Sequence, residues 1–396
     1  MINFDFECKT KLYFGTKKEE EIGNIVSSYG FSNVLIIIGK NSVKKIGLLD
    51  LVLNKLNEKE INYTLLEGVR VNPTIDLVLE GVKLAREKQI DLILAIGGGS
   101  VIDTAKSIAV GYYYEGNPFD FNLHKLKPTK ALPIGCILTI SAAGSEMSTS
   151  CVIQDDKTQV KSGFNSELIR PLFAVENPEL TFTVDKKQTA FGIVDILMHT
   201  VERYFCYSEE DSLCDGFAEG LIKTTMAAGT KTLQNPNDFN SRATLMLCSS
   251  LSHNGITNIG KKYVLAVHAL EHGLSGLCPE IAHAEGLAVL WASWARVYIN
   301  ENLDKFDRFA RNVFDLRLED KLENAKAGID AMEQYFASLG LNISLSSLRE
   351  GNVDIDKLVY AFSPDGTRLV AHHKKQIDTK IARQIYELAY ARKEVK

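Results

Sequence analysis

The sequence predicts an α/β half followed by an all-α half, and three observations carry that expectation. Short runs of branched apolar residues alternate with helix-spaced segments through the first half. Beyond Asp185, glycines and β-branched runs thin out and helical periodicity continues. Between them, Asn177-Pro178-Glu-Leu-Thr-Phe-Thr reads as a linker, so the expected domains are 1–184 and 185–396. Strands separated by helices of this length imply a parallel sheet with right-handed crossovers.

The elements follow in order. Val34-Leu-Ile-Ile-Ile38, closed by Gly39, reads as a strand buried on both faces. Leu48–Lys59 has helical spacing, Tyr63–Leu66 is extended, and Gly68–Pro73 is a loop. Thr74 suits the N-cap of a helix through Lys88. Asp91–Ile96 is a second buried strand that runs into Gly97-Gly98-Gly99-Ser100 and a helix from Val101 to Val110. Pro133–Ile140 is a third strand. Helices are expected at Asp185–Phe205, Asp211–Gln234, Asn240–Ile256, Ala288–Phe314 and Leu322–Ser338, with another in the histidine-rich stretch Val267–Glu285.

Composition excludes several classes. The chain has 396 residues, 45% hydrophobic and 24% charged, which suits globular domains of ordinary size. A formal net charge of −5 and the lack of a dense basic run argue against nucleic acid or an anionic membrane as partner. No apolar run is long enough to span a bilayer, and the N-terminus does not read as a signal peptide. Seven cysteines without CxxC spacing suit reduced thiols in a cytoplasm.

Two sets of residues carry chemistry. Gly97–Ser100 sits between a buried strand and a helix, where glycines allow close approach of a phosphate and the helix N-terminus offers N–H groups. It is not a GxGxxG fingerprint, and it lacks the lysine of a P-loop. Asp103 is expected to cap this loop or hold a ribose or amide, with Thr139 and Ser141 on the same sheet edge. The loop Gly39-Lys40-Asn41-Ser42 contains no acid. An acid there favours NAD and repels a 2′-phosphate, so Gly39, Lys40 and Ser42 favour NADP.

The second set is in the helical half. Asp195 and His199 are four apart on an apolar helix, and buried carboxylates are rare unless paired or metal-bound. His268 and His272 share a helix face, and His283 follows a Gly, Cys and Pro turn. Together they offer candidate ligands for a divalent transition metal. His124, His253, His372 and His373 have no second ligand at useful spacing. His372 and His373 read as surface, and His253 as a helix-face hydrogen bonder. Trp291 and Trp294 read as core or pocket wall.

These motifs resemble the iron-containing (group III) alcohol dehydrogenases, within them the butanol dehydrogenase and broad aldehyde reductase branch. The resemblance rests on Gly97–Lys106, Ala143–Met147, Gly192–Glu202, His268–His272 and His283, in this order and nearly end to end. It implies a Rossmann-like dinucleotide-binding domain and an all-α metal-binding domain, the dehydroquinate-synthase-like fold, with the active site in the cleft between them. It implies metal ligation by Asp195, His199, His268 and His283, with Fe²⁺ as the metal and Zn²⁺ as a substitute. His272 then drops from the ligand count and lies near nicotinamide and substrate. The glycine loop Gly97, Gly98, Gly99 and Ser100 receives the pyrophosphate, and Asn72, Asp103, Thr139 and Lys161 line the cofactor cleft. The Gly39–Ser42 loop commonly accompanies NADPH in this branch, and NADH remains admissible. Three positions depart from the pattern. Ala143 replaces a frequent Thr, Asn177 a frequent Asp, and Glu271 the Gly that most members carry before His272.

The expected reaction is reversible hydride transfer between a nicotinamide cofactor and short to medium-chain primary alcohols or aldehydes, such as butanol and butyraldehyde. The metal acts as Lewis acid and His272 as proton relay. Phe164, Trp291 and Leu270 are expected as apolar walls. A homodimer is expected, through an edge strand near residues 2–14. The rivals are a dehydroquinate-synthase-like lyase, which needs a Lys and Arg cluster absent around these histidines, and a non-catalytic nucleotide-binding protein.

Overall fold

In a computed structural model, which describes residues 2–208, 212–348, 353–370 and 375–391, the three apolar runs become adjacent strands. The α/β unit, Glu7–Val184, contains β1 (Lys11–Phe14), α1 (Ile22–Ser28), β2 (Asn33–Ile38), α2 (Ser42–Lys45) and α3 (Leu48–Asn57). There follow β3 (Asn62–Leu66), α4 (Ile75–Glu87), β4 (Leu92–Gly97), α5 (Gly99–Gly111), α6 (Phe119–Asn122) and β5 (Ile134–Leu138). The antiparallel hairpin β6 (Ser150–Asp155) and β7 (Val160–Asn165) precedes β8 (Phe173–Glu176).

The main sheet has the order β1-β8-β5-β4-β2-β3, and every pairing in it is parallel. Residues Val34–Ile38 and Leu92–Ile96 are wholly buried, as expected of strands covered on both faces. From β2 the chain steps outward to β3, then crosses back to β4 and continues through β5 to β8. The order therefore reverses between β2 and β4, the place where open α/β sheets bind ligands. The edge strand expected near residues 2–14 is β1, confined to Lys11–Phe14, whereas β8 and the hairpin were not legible in the sequence. β8 is only four residues long, and β6–β7 carries polar residues in a ladder outside the main sheet. Thr74 takes the extended N-cap conformation of α4, but its side chain makes no cap hydrogen bond.

The helical unit runs from Asp185 onward and includes the N-terminal residues through Phe6. It contains α7 (Lys186–Tyr204), α8 (Ser212–Gln234), α9 (Phe239–His253), α10 (Ala266–Leu277) and α11 (His283–Tyr298). Then come α12 (Leu303–Phe314), α13 (Lys321–Ser338), α14 (Ile355–Phe362) and α15 (Thr379–Ala391). Asp185 caps α7 by accepting from the Gln188 N–H. From Gly192 to Tyr204 every residue of α7 is buried, which makes it the central helix of the unit. The expected helix Ala288–Phe314 is in fact two. The chain leaves helical geometry at Asn302, whose φ is −146° and ψ 48°, and α12 then buries Phe306, Phe309 and Val313. Asn300 and Asn302, poor helix formers that compete with the backbone for hydrogen bonds, mark the break. Among the described residues, no helix is long and apolar enough to cross a membrane.

Candidate active site

The α/β unit gathers its candidate residues at the carboxyl ends of β2, β4 and β5. Gly39 follows β2, Gly97 ends β4, and Thr139 follows β5 with its N–H donating to the Gly97 carbonyl at 3.1 Å. Gly98 is the N-cap of α5 and has no side chain to satisfy the first N–H groups of the helix. A Cβ on Gly98 would stand 2.4 Å from Ile140 Cγ2, so only glycine lets the loop lie this close to the strand end. Gly97, Gly98, Gly99, Ser100 and Thr139 thus form one group at the strand-order reversal.

Of the roles expected for Asp103, capping the glycine loop is not the one its side chain takes. Its carboxylate accepts the Ser145 hydroxyl at 2.7 Å and the Val152 N–H at 3.0 Å. Burial pushes its pKa up, against the pull of Lys106, these two hydrogen bonds and Lys161. It does not cap the loop; it ties α5 to the Ser145 turn and to β6. Lys106, quoted in the sequence motif without a role, does the same from one turn on. Its fully buried ammonium donates to the Ser145, Ser148 and Ser150 carbonyls at 2.7, 3.1 and 2.8 Å, and also meets the Ser145 and Ser148 hydroxyls. Asn72 is buried and left-handed, with φ 56°, and the carbonyl of the next residue, Pro73, accepts from Gln154 N–H on β6. Lys161 on β7 is the ladder partner of Gln154, so Asn72 and Lys161 flank the same hairpin. Lys40, Asn41 and Ser42 are exposed, and the Gly39 carbonyl accepts from Gly68 N–H. The first acid beyond β3, Glu67, is ion-paired to Lys44 at 2.7 Å.

In the helical unit, one face of α7 presents Asp195, His199 and Glu202, at spacings of four and three. His268 on α10 meets this face. One carboxylate oxygen of Asp195 and one ring nitrogen each of His199 and His268 lie within 4.8 Å of one another, all three residues buried. His199 Nε2 is 3.4 Å, and His268 Nε2 3.9 Å, from Asp195 Oδ1. His283, the first residue of α11, is not in that close triad. It joins a second group with Glu271 and His272, and its ring centroid stands 5.2 Å from that of His268.

Five of the chain's eight histidines form a row. Successive ring centroids, His253 to His199 to His268 to His283 to His272, are 4.1, 4.4, 5.2 and 5.8 Å apart. His253, expected as a helix-face hydrogen bonder, is therefore a ring neighbour of His199. Helical spacing alone could not place α9 beside α7. His124 is exposed, and His372 and His373 lie outside the described residues.

Burial, joined by the charges of His253, His268, Arg203 and His283, holds the His199 pKa well below its usual value. His199 is thus a neutral imidazole at neutral pH, the form that binds metals. Two carboxylates meet the other rings: Glu202, which the sequence motif contained without a role, and Glu271, the extra acid expected near the site. Glu202 accepts from the N–H of Val267 at 2.5 Å, from that of His268 at 3.3 Å, and contacts His268 Nδ1. It thereby caps α10, whose own N-cap Leu265 has no acceptor side chain. The fully buried Glu271 contacts His283 Nδ1.

The donor set fits a metal. His268 Nε2 and His199 Nδ1 are buried without a hydrogen-bond partner among the described residues. Such atoms are rare unless something coordinates them. A carboxylate oxygen with imidazole nitrogens is the donor chemistry of divalent first-row metals. Of the three residues expected as apolar walls, Trp291 takes the core position that was its other reading. Trp291 and Leu270 are wholly buried in the helical core, and Phe164 is buried against Phe121.

Comparison with known proteins points the same way. The model of the iron-containing alcohol dehydrogenases matches residues 9–178, and that of the C-terminal part of the Fe-containing alcohol dehydrogenase family matches residues 189–388. The chain is 41% identical over 360 residues to NADH-dependent butanol dehydrogenase A of Clostridium acetobutylicum, covering 90% of this chain and 91% of that one. It is 34% identical over 398 residues to the NADPH-dependent aldehyde reductase YqhD of Escherichia coli, covering 98% and 100%. The crystal structure of NADH-dependent butanol dehydrogenase A from Thermotoga maritima superposes with a TM-score of 0.94 at 33% identity, over 98% of this chain and 99% of that one.

Proposed function

The chain belongs to the iron-containing alcohol dehydrogenase family, and from that premise we propose how its residues divide the work of a metal- and NAD(P)-dependent alcohol dehydrogenase and aldehyde reductase. Asp195, His199, His268 and His283 hold the metal. The observation that carries this reading is the buried Asp195–His199–His268 triad, with His283 beside His268. Fe²⁺ is the native ion in this reading, and Zn²⁺ an occupant of the same donors. Gly97–Ser100, with Thr139, Asn72 and Lys161, receives the cofactor, Asp103 holding the turn behind it. The acid-free Gly39–Ser42 loop favours NADPH, although the relatives include both NADH- and NADPH-dependent enzymes.

When bound, the metal supplies Lewis-acid polarisation of the substrate oxygen, and the nicotinamide gives or receives the hydride. The chain's own residues fix the geometry and move the proton. Asp195 and the neutral His199 reach the site from one rigid, buried face of α7. His268 and His283 reach it from the start of α10 and α11. His272 is half-buried at the end of the imidazole row and is the proton relay between the alcohol oxygen and solvent. The substrates are short to medium-chain aliphatic aldehydes and primary alcohols, as the butanol dehydrogenase relatives suggest.

The test is butyraldehyde reduction with NADPH and with NADH, after metal stripping and refilling with Fe²⁺ or Zn²⁺. Activity should return with metal, and Asp195→Ala and His268→Ala should lose both metal and turnover. Full activity and metal in both variants would remove the ligand assignment. Two coarser readings accompany it. The seven cysteines are all free, which suits a reducing cytoplasm. β1 is an edge strand, and its pairing with a second copy would give a homodimer, checked by light scattering on the eluted protein.

A further inference from the structure

The structure assigns Glu271 and Gly286 a joint role, in which Gly286 opens the space where Glu271 holds His283 in the tautomer that can bind metal. The inference rests on His283 being a ligand. Glu271 is wholly buried, and its Oε2 contacts His283 Nδ1. Glu202 makes the same contact to His268 Nδ1 from another helix. In both pairs the carboxylate accepts a hydrogen bond from Nδ1–H, which keeps the proton on Nδ1 and leaves Nε2 with its lone pair outward. A ligating histidine usually gives its second nitrogen to such a partner, which fixes ring orientation and raises basicity.

Gly286 lies one helical turn beyond His283 on α11. A Cβ there would stand 2.7 Å from Glu271 Cγ and 3.1 Å from Oε1. The Cγ is near the root of the side chain, so the carboxylate could not stay against His283. Glu271 in α10 and Gly286 in α11 are thus complementary: the acid that departs from the usual glycine before His272 is accommodated by a glycine across the helix pair. The second consequence is charge. Asp195, Glu202 and Glu271 place three carboxylates around the imidazoles, which strengthens binding of a divalent cation. Glu271 is a positioning residue: it acts on the substrate only through His283.

Direct metal titration tests this without relying on turnover. Purified full-length protein and its Glu271→Gln, Glu271→Ala, Gly286→Ala and Glu271→Ala/Gly286→Ala variants would be stripped and titrated with Co²⁺ against a chelator. Thermal melts of the stripped proteins would check folding. Each single variant should keep one Co²⁺ per chain, bind it about 10- to 100-fold more weakly, and shift its visible ligand-field band. Glu271→Gln, which keeps an acceptor but no charge, should retain more affinity than Glu271→Ala. The double variant should bind no more weakly than Glu271→Ala, because Gly286 acts only through Glu271. Unchanged affinity and band in Glu271→Ala would overturn the proposal, as would additive losses in the double variant. His283→Ala separates this from the ligand assignment: wild-type affinity and spectrum there would remove His283 as a ligand and the inference with it.

Discussion

Single side chains decide whether this protein is ready to receive a metal. His199 is kept neutral first by burial, with Arg203 and the surrounding imidazoles acting in the same direction. In the unfolded chain it titrates at its ordinary value near 6.5. The unfolded state then binds more protons, so stability rises with pH across this window and is lost as pH falls from about 6.5 toward the lower folded pKa. The urea midpoint of the metal-stripped protein should therefore drop on going from pH 7 to pH 6. His199→Gln should flatten that drop. Lys106 is the corresponding residue in the α/β unit. Burial lowers its pKa and Asp103 opposes the shift. Lys106→Met would leave three serine carbonyls without their donor and Asp103 without the stronger of the two cations that act on it. A loss of about 3 kcal/mol is expected, on the scale of breaking a buried charge pair, read from urea unfolding.

At the level of elements, α7 explains why the helical unit can build a site at all. One helix supplies a candidate ligand carboxylate, a candidate ligand histidine and the cap of another helix from a single face. The sequence motif Asp195-x-x-x-His199-x-x-Glu202 was legible because helical spacing maps directly onto a face. The partner of Glu202 was not, because α10 comes more than sixty residues later. In the α/β unit, the β2–α2 loop is the element that should set cofactor choice. Gly39 has space for a side chain, since a Cβ there would lie 3.6 Å from the nearest carbonyl oxygen, that of Val69. Gly39→Asp should lower kcat/KM with NADPH at least about tenfold, by repulsion of the 2′-phosphate, and spare NADH. Steady-state kinetics with both cofactors would show it, and an equal loss with both would argue against this loop as the selector.

For the whole molecule, metal occupancy should appear as stability of the helical unit. A ligand that binds only the folded state adds about 2.7 kcal/mol at a concentration one hundred times its Kd. Stripping the metal should lower the thermal midpoint, and refilling should restore it. Asp195→Ala should melt at the same temperature with and without added Fe²⁺ or Zn²⁺. A metal-dependent rise in that variant would place the ion elsewhere.

The sequence by itself determined the buried strands, the glycine loop at a strand end, the α7 motif and the candidate histidines, because each is written within a few residues at the period of its own element. It also showed the residues that carry the resemblance to the iron-containing alcohol dehydrogenases. The tertiary structure decided what periodicity cannot express. It placed His253 against His199 and assigned Glu202 and Glu271 to particular rings. It put Leu270 in the core, chose core over pocket wall for Trp291, and turned Asp103 and Lys106 toward the turn they brace. Each depends on packing between residues far apart in the chain, and a helix or strand pattern records which face is buried but not what that face meets.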